Sequence, residues 1–162
     1  MLVRADNNSG NYIIRRKKFS NIKHLVEPLV SSGSRIRYVR QLKDLTIKEL
    51  ALLIGVSVNT IGNIERDVVQ PSLPNLRKLA EILDRPIYYL GTFEEMPADT
   101  LGQKIRKARF YHGLLVTEAA EKFEVDIKSI NNWETDRQVP SSKSINEVNN
   151  FISITYKDKA PK

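Results

Sequence analysis

The chain has 162 residues, with 26 lysine or arginine residues against 19 aspartate or glutamate residues, which gives a formal net charge of +7. It has no cysteine and two histidines far apart, so disulfides, thiolate ligands and a convincing metal site are excluded, and we expect no cofactor. No apolar run approaches the roughly eighteen residues of a membrane span and no signal peptide is recognisable, so we expect a cytoplasmic protein without membrane contact. The positive charge favours a polyanionic partner.

Residues 1–33 are predicted to form a basic N-terminal arm that is partly disordered. They hold six basic residues against two acidic ones, whereas residues 34–96 hold nine against eight and residues 97–162 hold eleven against nine. Four of the six are consecutive: Arg15, Arg16, Lys17 and Lys18. Such a run is suited to follow a nucleic-acid backbone or minor groove, and a solvated charge run is the alternative.

Residues 34–91 predict a first domain of four helices and a short fifth. Apolar residues at steps of three and four positions indicate helices at about 35–43, 46–54, 57–66, 72–83 and 86–91. Thr46, Ser57 and Ser72 are suited to cap the second, third and fourth helices, and Glu49 completes a capping box with Thr46.

Residues 92–99 predict a linker, and residues 100–156 predict a second domain. Its helices are expected at about 100–111, 115–123, 126–134 and 141–153, with a polar tail at 157–162. The predicted fold class is therefore all-α, with two tandem domains.

The two domains are copies of each other at a distance of 69 positions. When residues 36–72 are aligned without a gap on residues 105–141, 13 of 37 positions are identical, whereas average residue usage predicts about two. This period is too long for a solenoid array, so the pattern indicates a duplicated domain.

Four short motifs recur in the first copy, and the second copy keeps most of their residues. They are I-R-x-x-R from Ile36, L-T-x-x-E-L-A at 45–51, G-V-S at 55–57 and I-x-x-x-E at 61–65. Together they resemble the lambda-repressor/Cro-like helix-turn-helix family, from which the second copy departs at Leu115 and Glu124. The resemblance implies a bihelical unit whose third helix enters the major groove of DNA.

The resemblance also implies which side chains contact double-stranded DNA. Base edges would be read from the early positions of the third helices: Val58, Asn59, Gly62, Asn63, Ile127, Lys128, Asn131 and Asn132. Phosphates would be contacted by hydroxyl and basic residues near helix starts and exits: Thr46, Ser57, Thr60, Arg66, Ser72, Ser129, Arg137 and Ser141. Asparagine suits adenine, lysine suits guanine, and valine or isoleucine suits the thymine methyl group, whereas an idle solvated side chain is the alternative at these positions.

Arg40 and Arg109 are expected to be structural rather than DNA-binding. Each lies 25 residues before an acid, Glu65 or Glu134. The family pairs these positions in a partly buried salt bridge between the first and third helices. Loss of one partner would leave an unpaired buried charge.

The predicted function is a sequence-specific, double-stranded-DNA-binding transcriptional regulator, with a repressor favoured over an activator. Two tandem readers would act as a covalent pseudo-dimer on two unlike half-sites about one helical turn apart. No phosphate loop, metal spacing or nucleophile–base arrangement is present, so we do not expect an enzyme and name no catalytic residue.

The alternative is a protein-interaction adaptor, either antitoxin-like or an accessory protein of a recombination or plasmid-transfer complex, with one copy on DNA. Ile47 and Val116 give a reason for it, since they stand where the family often has a DNA-contacting glutamine. A patch for a protein partner or antirepressor would then comprise Tyr88, Tyr89, Leu90 and Phe93. Packing within the chain competes for the same residues, and a homo-oligomer through this region is a further alternative.

Overall fold

A computed structural model describes residues 31–153, so the run Arg15–Lys18 and the tail at 157–162 lie outside the described residues. Between 31 and 153 the chain forms nine α-helices, one 3₁₀ turn and no strand, which confirms the all-α prediction. The first copy holds α1 (Ser32–Leu42), α2 (Ile47–Ile54), α3 (Val58–Glu65), α4 (Leu73–Leu83) and α5 (Ile87–Leu90). After the 3₁₀ turn at Phe93–Glu95, the second copy holds α6 (Leu101–Tyr111), α7 (Val116–Lys122), α8 (Ile127–Glu134) and α9 (Ile145–Ser153).

Helix α1 begins three residues before its predicted start, because its first turn is held by neighbouring side chains. Ser31 caps the helix by accepting a hydrogen bond from the Ser34 amide at 3.2 Å. Asp67, just beyond α3, accepts from the Gly33 amide at 2.9 Å and from the Ser31 hydroxyl at 2.6 Å. A Cβ atom on Gly33 would lie 2.1 Å from the Ile64 carbonyl oxygen, so the missing side chain lets α1 approach the end of α3.

The second copy repeats this arrangement 69 positions further along, and in both copies we call it the aspartate clamp. Asp136 accepts from the Gly102 amide at 2.8 Å and from the Thr100 hydroxyl at 2.5 Å. A Cβ atom on Gly102 would lie 2.3 Å from the Trp133 carbonyl oxygen. Asp67 and Asp136 take φ values of +56° and +55°, a left-handed conformation in which aspartate is enriched among non-glycine residues.

The bihelical unit of the first copy is made by α2 and α3, which meet at a bend of 112°. Gly55 ends α2 at a φ of +76°, which glycine adopts without steric cost. Glu124 occupies the equivalent turn of the second copy at a φ of +52°, where an L-residue costs roughly 1–2 kcal/mol. Between 31 and 153 no single helix is long and apolar enough to cross a membrane, and the pair α2 and α3 reaches that length and composition when taken together across the bend.

Each copy encloses an apolar core. The first core is dominated by large aliphatic side chains with no exposure: Ile36, Leu50, Ile61, Leu79, Leu83 and Leu90. The second relies on smaller and aromatic side chains: Ala108, Ala119, Ala120, Phe123, Trp133 and Phe151. Ile47 and Val116 pack at the margins of the two cores, which gives both residues a structural role at the positions where glutamine was expected.

Helix α9 begins at Ile145 rather than near 141, because a turn precedes it. The amides of Ser144 and Ile145 both donate to the Ser141 carbonyl oxygen, at 3.0 and 2.9 Å. The turn buries Ser144 and leaves Ser141 exposed ahead of the helix.

The predicted linker packs against the second copy through aromatic side chains. Phe93 is 7% exposed and meets Phe110 edge to face, with ring centroids 5.0 Å apart. Tyr88 stacks on Tyr111 with centroids 4.9 Å apart and rings inclined by 9°. Phe110 and Tyr111, at the end of α6, therefore pack on the core of the first copy.

Polar contacts reinforce this interface, which we call the joint. The Lys107 ammonium donates to the carbonyl oxygens of Glu94 and Met96 at 2.8 and 2.9 Å. The Arg77 guanidinium, on α4, donates through two nitrogens to the Glu118 carboxylate on α7. That guanidinium holds the pKa of Glu118 at about 2, with the Leu115 amide as a second donor to the carboxylate. Aromatic contacts, hydrogen bonds and an ion pair thus hold the two copies together.

Candidate nucleic-acid interface

The first turn of α3 is open to solvent and carries the side chains predicted to read bases. Its N-cap Ser57 accepts from the Thr60 amide at 3.0 Å, and the two hydroxyl oxygens lie 2.8 Å apart. Val58 is 48% exposed, and Asn59 beside it is exposed as well. An apolar and an amide side chain therefore project from the start of α3, the end that the family resemblance places toward the major groove.

Further along α3, the predicted reading positions lie beneath Arg66. Gly62 is buried, and a Cβ atom there would lie 3.4 Å from the Arg66 Nη1 atom. Arg66 Nη2 donates to Asn63 Oδ1 at 2.8 Å. Gly62 thus lies under the guanidinium, which also engages the Asn63 amide oxygen. Arg66, predicted to contact phosphate, lies across the reading face of α3.

Helix α8 has a charged N-cap where α3 has a neutral one. Asp126 accepts from the Ser129 amide at 2.6 Å. Hydrogen bonds from the backbone and then the hydroxyl of Ser129 lower the pKa of Asp126, so the carboxylate is ionised at neutral pH. The charge suits the positive end of the helix dipole. It also stands beside the exposed Ile127 and Lys128, where DNA phosphates would be repelled.

An open groove of about 710 Å³ lies beside α8 and collects three of the predicted phosphate contacts, Ser129, Arg137 and Ser141. Asp136 also lines it, but its carboxylate is engaged in the clamp described above. Of the remaining reading positions, Asn131 is exposed, and Asn132 donates to Gln138 Oε1 at 3.0 Å. Hydroxyls and a guanidinium around one depression suit a backbone phosphate.

In the first copy, two predicted phosphate contacts cap their own helices. The Thr46 hydroxyl accepts from the Glu49 amide at 3.1 Å and donates to the Glu49 carboxylate at 2.8 Å, so the predicted capping box is present. The Ser72 hydroxyl accepts from the Asn75 amide at 3.4 Å. Both serve at exposed starts of α2 and α4, where amides that lack a helical partner can bind an anion.

The arginines predicted to be structural are occupied within the fold. Arg40 donates to Glu65 through two nitrogens at 2.5 and 2.8 Å and to the Leu45 carbonyl at 2.6 Å. Arg109 makes the same pair of contacts with Glu134 at 2.5 and 2.9 Å. These pairs tie the first helix of each copy to the third and fix the orientation of the predicted reading helices.

Sequence reasoning missed three features of this region. The clamp residues Asp67 and Asp136 are identical at the 69-residue offset, so the repeat itself carried that signal. Asp126 stands directly before an apolar helix, a position typical of an N-cap. The pairing of Arg77 with Glu118 joins residues 41 positions apart on different copies, and no local pattern indicates it.

Comparison with known families matches one of the two copies. Residues 36–90 match the helix-turn-helix family model. The match runs through α1 to α5, so the first copy is similar to helix-turn-helix domains, and this similarity supports double-stranded DNA as a partner. The helix-turn-helix match does not extend to α6–α9. No curated protein and no solved structure matches the chain.

Proposed function

We propose that the protein is a sequence-specific, double-stranded-DNA-binding transcriptional regulator that acts as a repressor and reads DNA with both copies. The observation that carries the proposal is the exposed start of α3 within the matched domain. There Val58 and Asn59 project from a helix whose orientation is fixed by the buried Arg40–Glu65 pair. A rigid scaffold under exposed polar and apolar side chains is what base readout requires.

The second copy supports the two-reader proposal through its shared internal geometry. It repeats the clamp, the buried arginine–glutamate pair and the exposed first turn of the third helix. The groove beside α8 adds Ser129, Arg137 and Ser141 as a seat for a phosphate. The charge of Asp126 opposes binding, so we expect the second copy to contribute less affinity than the first.

Repression is proposed because occupancy of a promoter needs no chemistry beyond tight binding. A tethered second reader raises its own effective concentration to the mM range and increases the lifetime of the complex. The titratable groups with shifted pKa values, Arg77, Glu118 and Asp126, are ion-pair partners and a helix cap.

The residues of the patch predicted for the adaptor alternative make contacts within the chain. Leu90 is fully buried, and Tyr88 and Phe93 pack on rings of the second copy. The Arg35 guanidinium lies over the ring of Tyr89, with its Cζ atom 4.9 Å from the ring centroid. These residues serve the joint and the first core, which leaves them poorly placed to dock a partner.

The test is selection of binding sites from random double-stranded DNA, followed by footprinting at about 150 mM salt, roughly physiological ionic strength. Two double variants separate the readers: Asn59→Ala with Asn63→Ala, and Lys128→Ala with Asn132→Ala. Each is expected to weaken protection of one half-site, because each removes base contacts from one helix. Arg85→Ala is the matched control, since it lies beyond α4, about 16 Å along that helix from Ser72. Equal loss at both half-sites from either pair, or no preferred sequence at all, would contradict the proposal.

A further inference from the structure

The joint is built from different parts of the two copies. Its first-copy side comes from α4, α5 and the 3₁₀ turn, with Arg77, Tyr88 and Phe93 as contact residues. Its second-copy side comes from the end of α6 and the start of α7, where Tyr111 and Glu118 are placed. The end of one copy therefore packs on the beginning of the other.

A pair related by a two-fold axis would make each contact twice, with the roles of the copies exchanged. The 69-residue offset makes this checkable: the mirror of the Arg77–Glu118 pair would join Glu49 to Asn146. Glu49 instead caps Thr46, and Asn146 is exposed on α9. The reciprocal contact is absent from residues 31–153, so the copies are arranged head to tail.

Sequence differences at the joint agree with this arrangement. Tyr111, which stacks on Tyr88, has Leu42 as its equivalent in the first copy. Phe110, which meets Phe93, has Gln41. Neither Leu42 nor Gln41 offers a ring, so the first copy does not carry the surface that the second copy presents to it.

Orientation of the readers determines the kind of DNA site that one chain can occupy. The duplex has local two-fold symmetry, and two-fold related readers bind half-sites that are inverted repeats of each other. Readers held head to tail lack that axis. From the joint, and resting on the proposed function, we infer that one chain reads a non-palindromic site of two unlike half-sites that do not form an inverted repeat, at a single spacing.

The fixed spacing follows from the rigidity of the joint. Two ring pairs, the Lys107 contacts with two carbonyl oxygens and the two-point Arg77–Glu118 pair act together across the interface. A flexible tether would tolerate several spacings, whereas a packed interface allows the second reader to engage at one. The joint is therefore a specificity determinant although it lies outside the predicted reading positions.

The test uses the full chain and the site selected from random DNA. Variants of that site carry one half-site reversed, or five extra base pairs between the half-sites, which is about half a helical turn. We expect at least about 100-fold weaker binding to both, since engagement of the second reader is lost. Native mass spectrometry gives the number of chains on each DNA.

A protein variant, Arg77→Asn combined with Tyr111→Leu, tests the joint directly. Each substitution introduces the residue found at the equivalent position of the other copy, Asn146 or Leu42. We expect it to bind the isolated first half-site as wild type does and to discriminate spacing at least about tenfold less well. Circular dichroism checks that the variant is folded. If the double variant is not folded, Arg77→Asn alone is used, and we expect it to lose spacing discrimination by a smaller factor.

The outcomes separate this inference from the proposed function. An inverted repeat occupied by one chain would overturn the inference and leave the proposed function intact. A single short half-site, or a palindrome that engages one reader from each of two chains, would overturn the inference together with the two-reader part of the proposed function and leave a DNA-binding regulator. Selection without any preferred sequence would overturn the proposed function itself. Unchanged spacing discrimination in the folded joint variant would show that the joint does not set the spacing.

Discussion

Replacing Gly33 by alanine is expected to destabilise the protein by about 2–4 kcal/mol. The new Cβ atom would lie 2.1 Å from the Ile64 carbonyl oxygen and 2.7 Å from Asp67 Oδ1, about 1 Å short of a tolerable contact with the oxygen of the backbone. Helix α1 must move away from α3, at an overpacking cost of roughly 1–3 kcal/mol. The move also strains the hydrogen bond from the Gly33 amide to the Asp67 carboxylate, and such bonds to charged groups contribute roughly 1.5–3 kcal/mol. Better helix propensity returns at most about 1 kcal/mol.

The matched control is Gly62→Ala, the same chemical change in the interior of α3. A Cβ atom there would lie 3.4 Å from the Arg66 Nη1 atom, the far end of a flexible side chain that can shift. The helix gains propensity at no steric cost, so we expect stabilisation by about 0.5–1 kcal/mol. The two substitutions therefore differ in sign for a reason that the structure supplies.

Urea unfolding followed by circular dichroism measures both variants. With a slope of about 2 kcal/mol per molar urea, the middle of the usual range, Gly33→Ala should lower the midpoint by about 1–2 M, whereas Gly62→Ala should raise it slightly. Gly102→Ala, which meets the Trp133 carbonyl at 2.3 Å, should behave like Gly33→Ala. A neutral or stabilising Gly33→Ala substitution would refute the close approach of α1 to α3 and the clamp built on it.

Three further predictions concern the second copy and the joint. Glu124→Gly should stabilise the protein by about 0.5–1 kcal/mol in urea unfolding, because glycine relieves the positive φ at a smaller entropic cost, whereas Glu124→Gln should not. Asp126→Ser keeps a helix cap and removes a charge that faces phosphate, so DNA affinity should rise roughly fivefold, or about 1 kcal/mol, in titrations at low salt; weaker binding would refute the repulsion. Because folding lowers the pKa of Glu118 from 4.5 to about 2, its pairing with Arg77 stabilises the fold above pH 4.5 and ceases to do so as the pH falls towards 2. The difference in Tm between wild type and Arg77→Met should therefore be present at pH 7 and shrink across that interval, and a constant difference would count against the ion pair.

The internal structure of each copy was predictable because it depends on local patterns. Serine and threonine before apolar helices indicated the caps, and spacing by three and four residues indicated the buried faces. The pairing of Arg40 with Glu65 was implied by the family resemblance, since the two residues lie 25 positions apart and no local rule joins them. The clamps were accessible from the repeat, but Gly33 was assigned to the N-terminal arm rather than to the first helix.

The arrangement of the copies was not predictable from the same patterns. The aromatic residues at 88–93 are equally suited to a core, a partner surface or a dimer, and the structure uses them to bind α6. Arg77 on an amphipathic helix resembles any solvated surface arginine until Glu118 is brought opposite it. Long-range pairing of this kind is set by the tertiary packing, which one sequence does not reveal.

The joint also separates the residues that the two halves of the chain share from those in which they differ. Residues that shape each fold are the same in both: Gly33 and Gly102, Asp67 and Asp136, Arg40 and Arg109, Glu65 and Glu134. Residues that hold the halves together differ, with Arg77 opposite Asn146 in the alignment and Leu42 opposite Tyr111. Each half has kept its interior and specialised one flank. The two halves are therefore not interchangeable. A chain made of two first halves would contain two folded domains, but the second of them would lack the rings that pack at the joint.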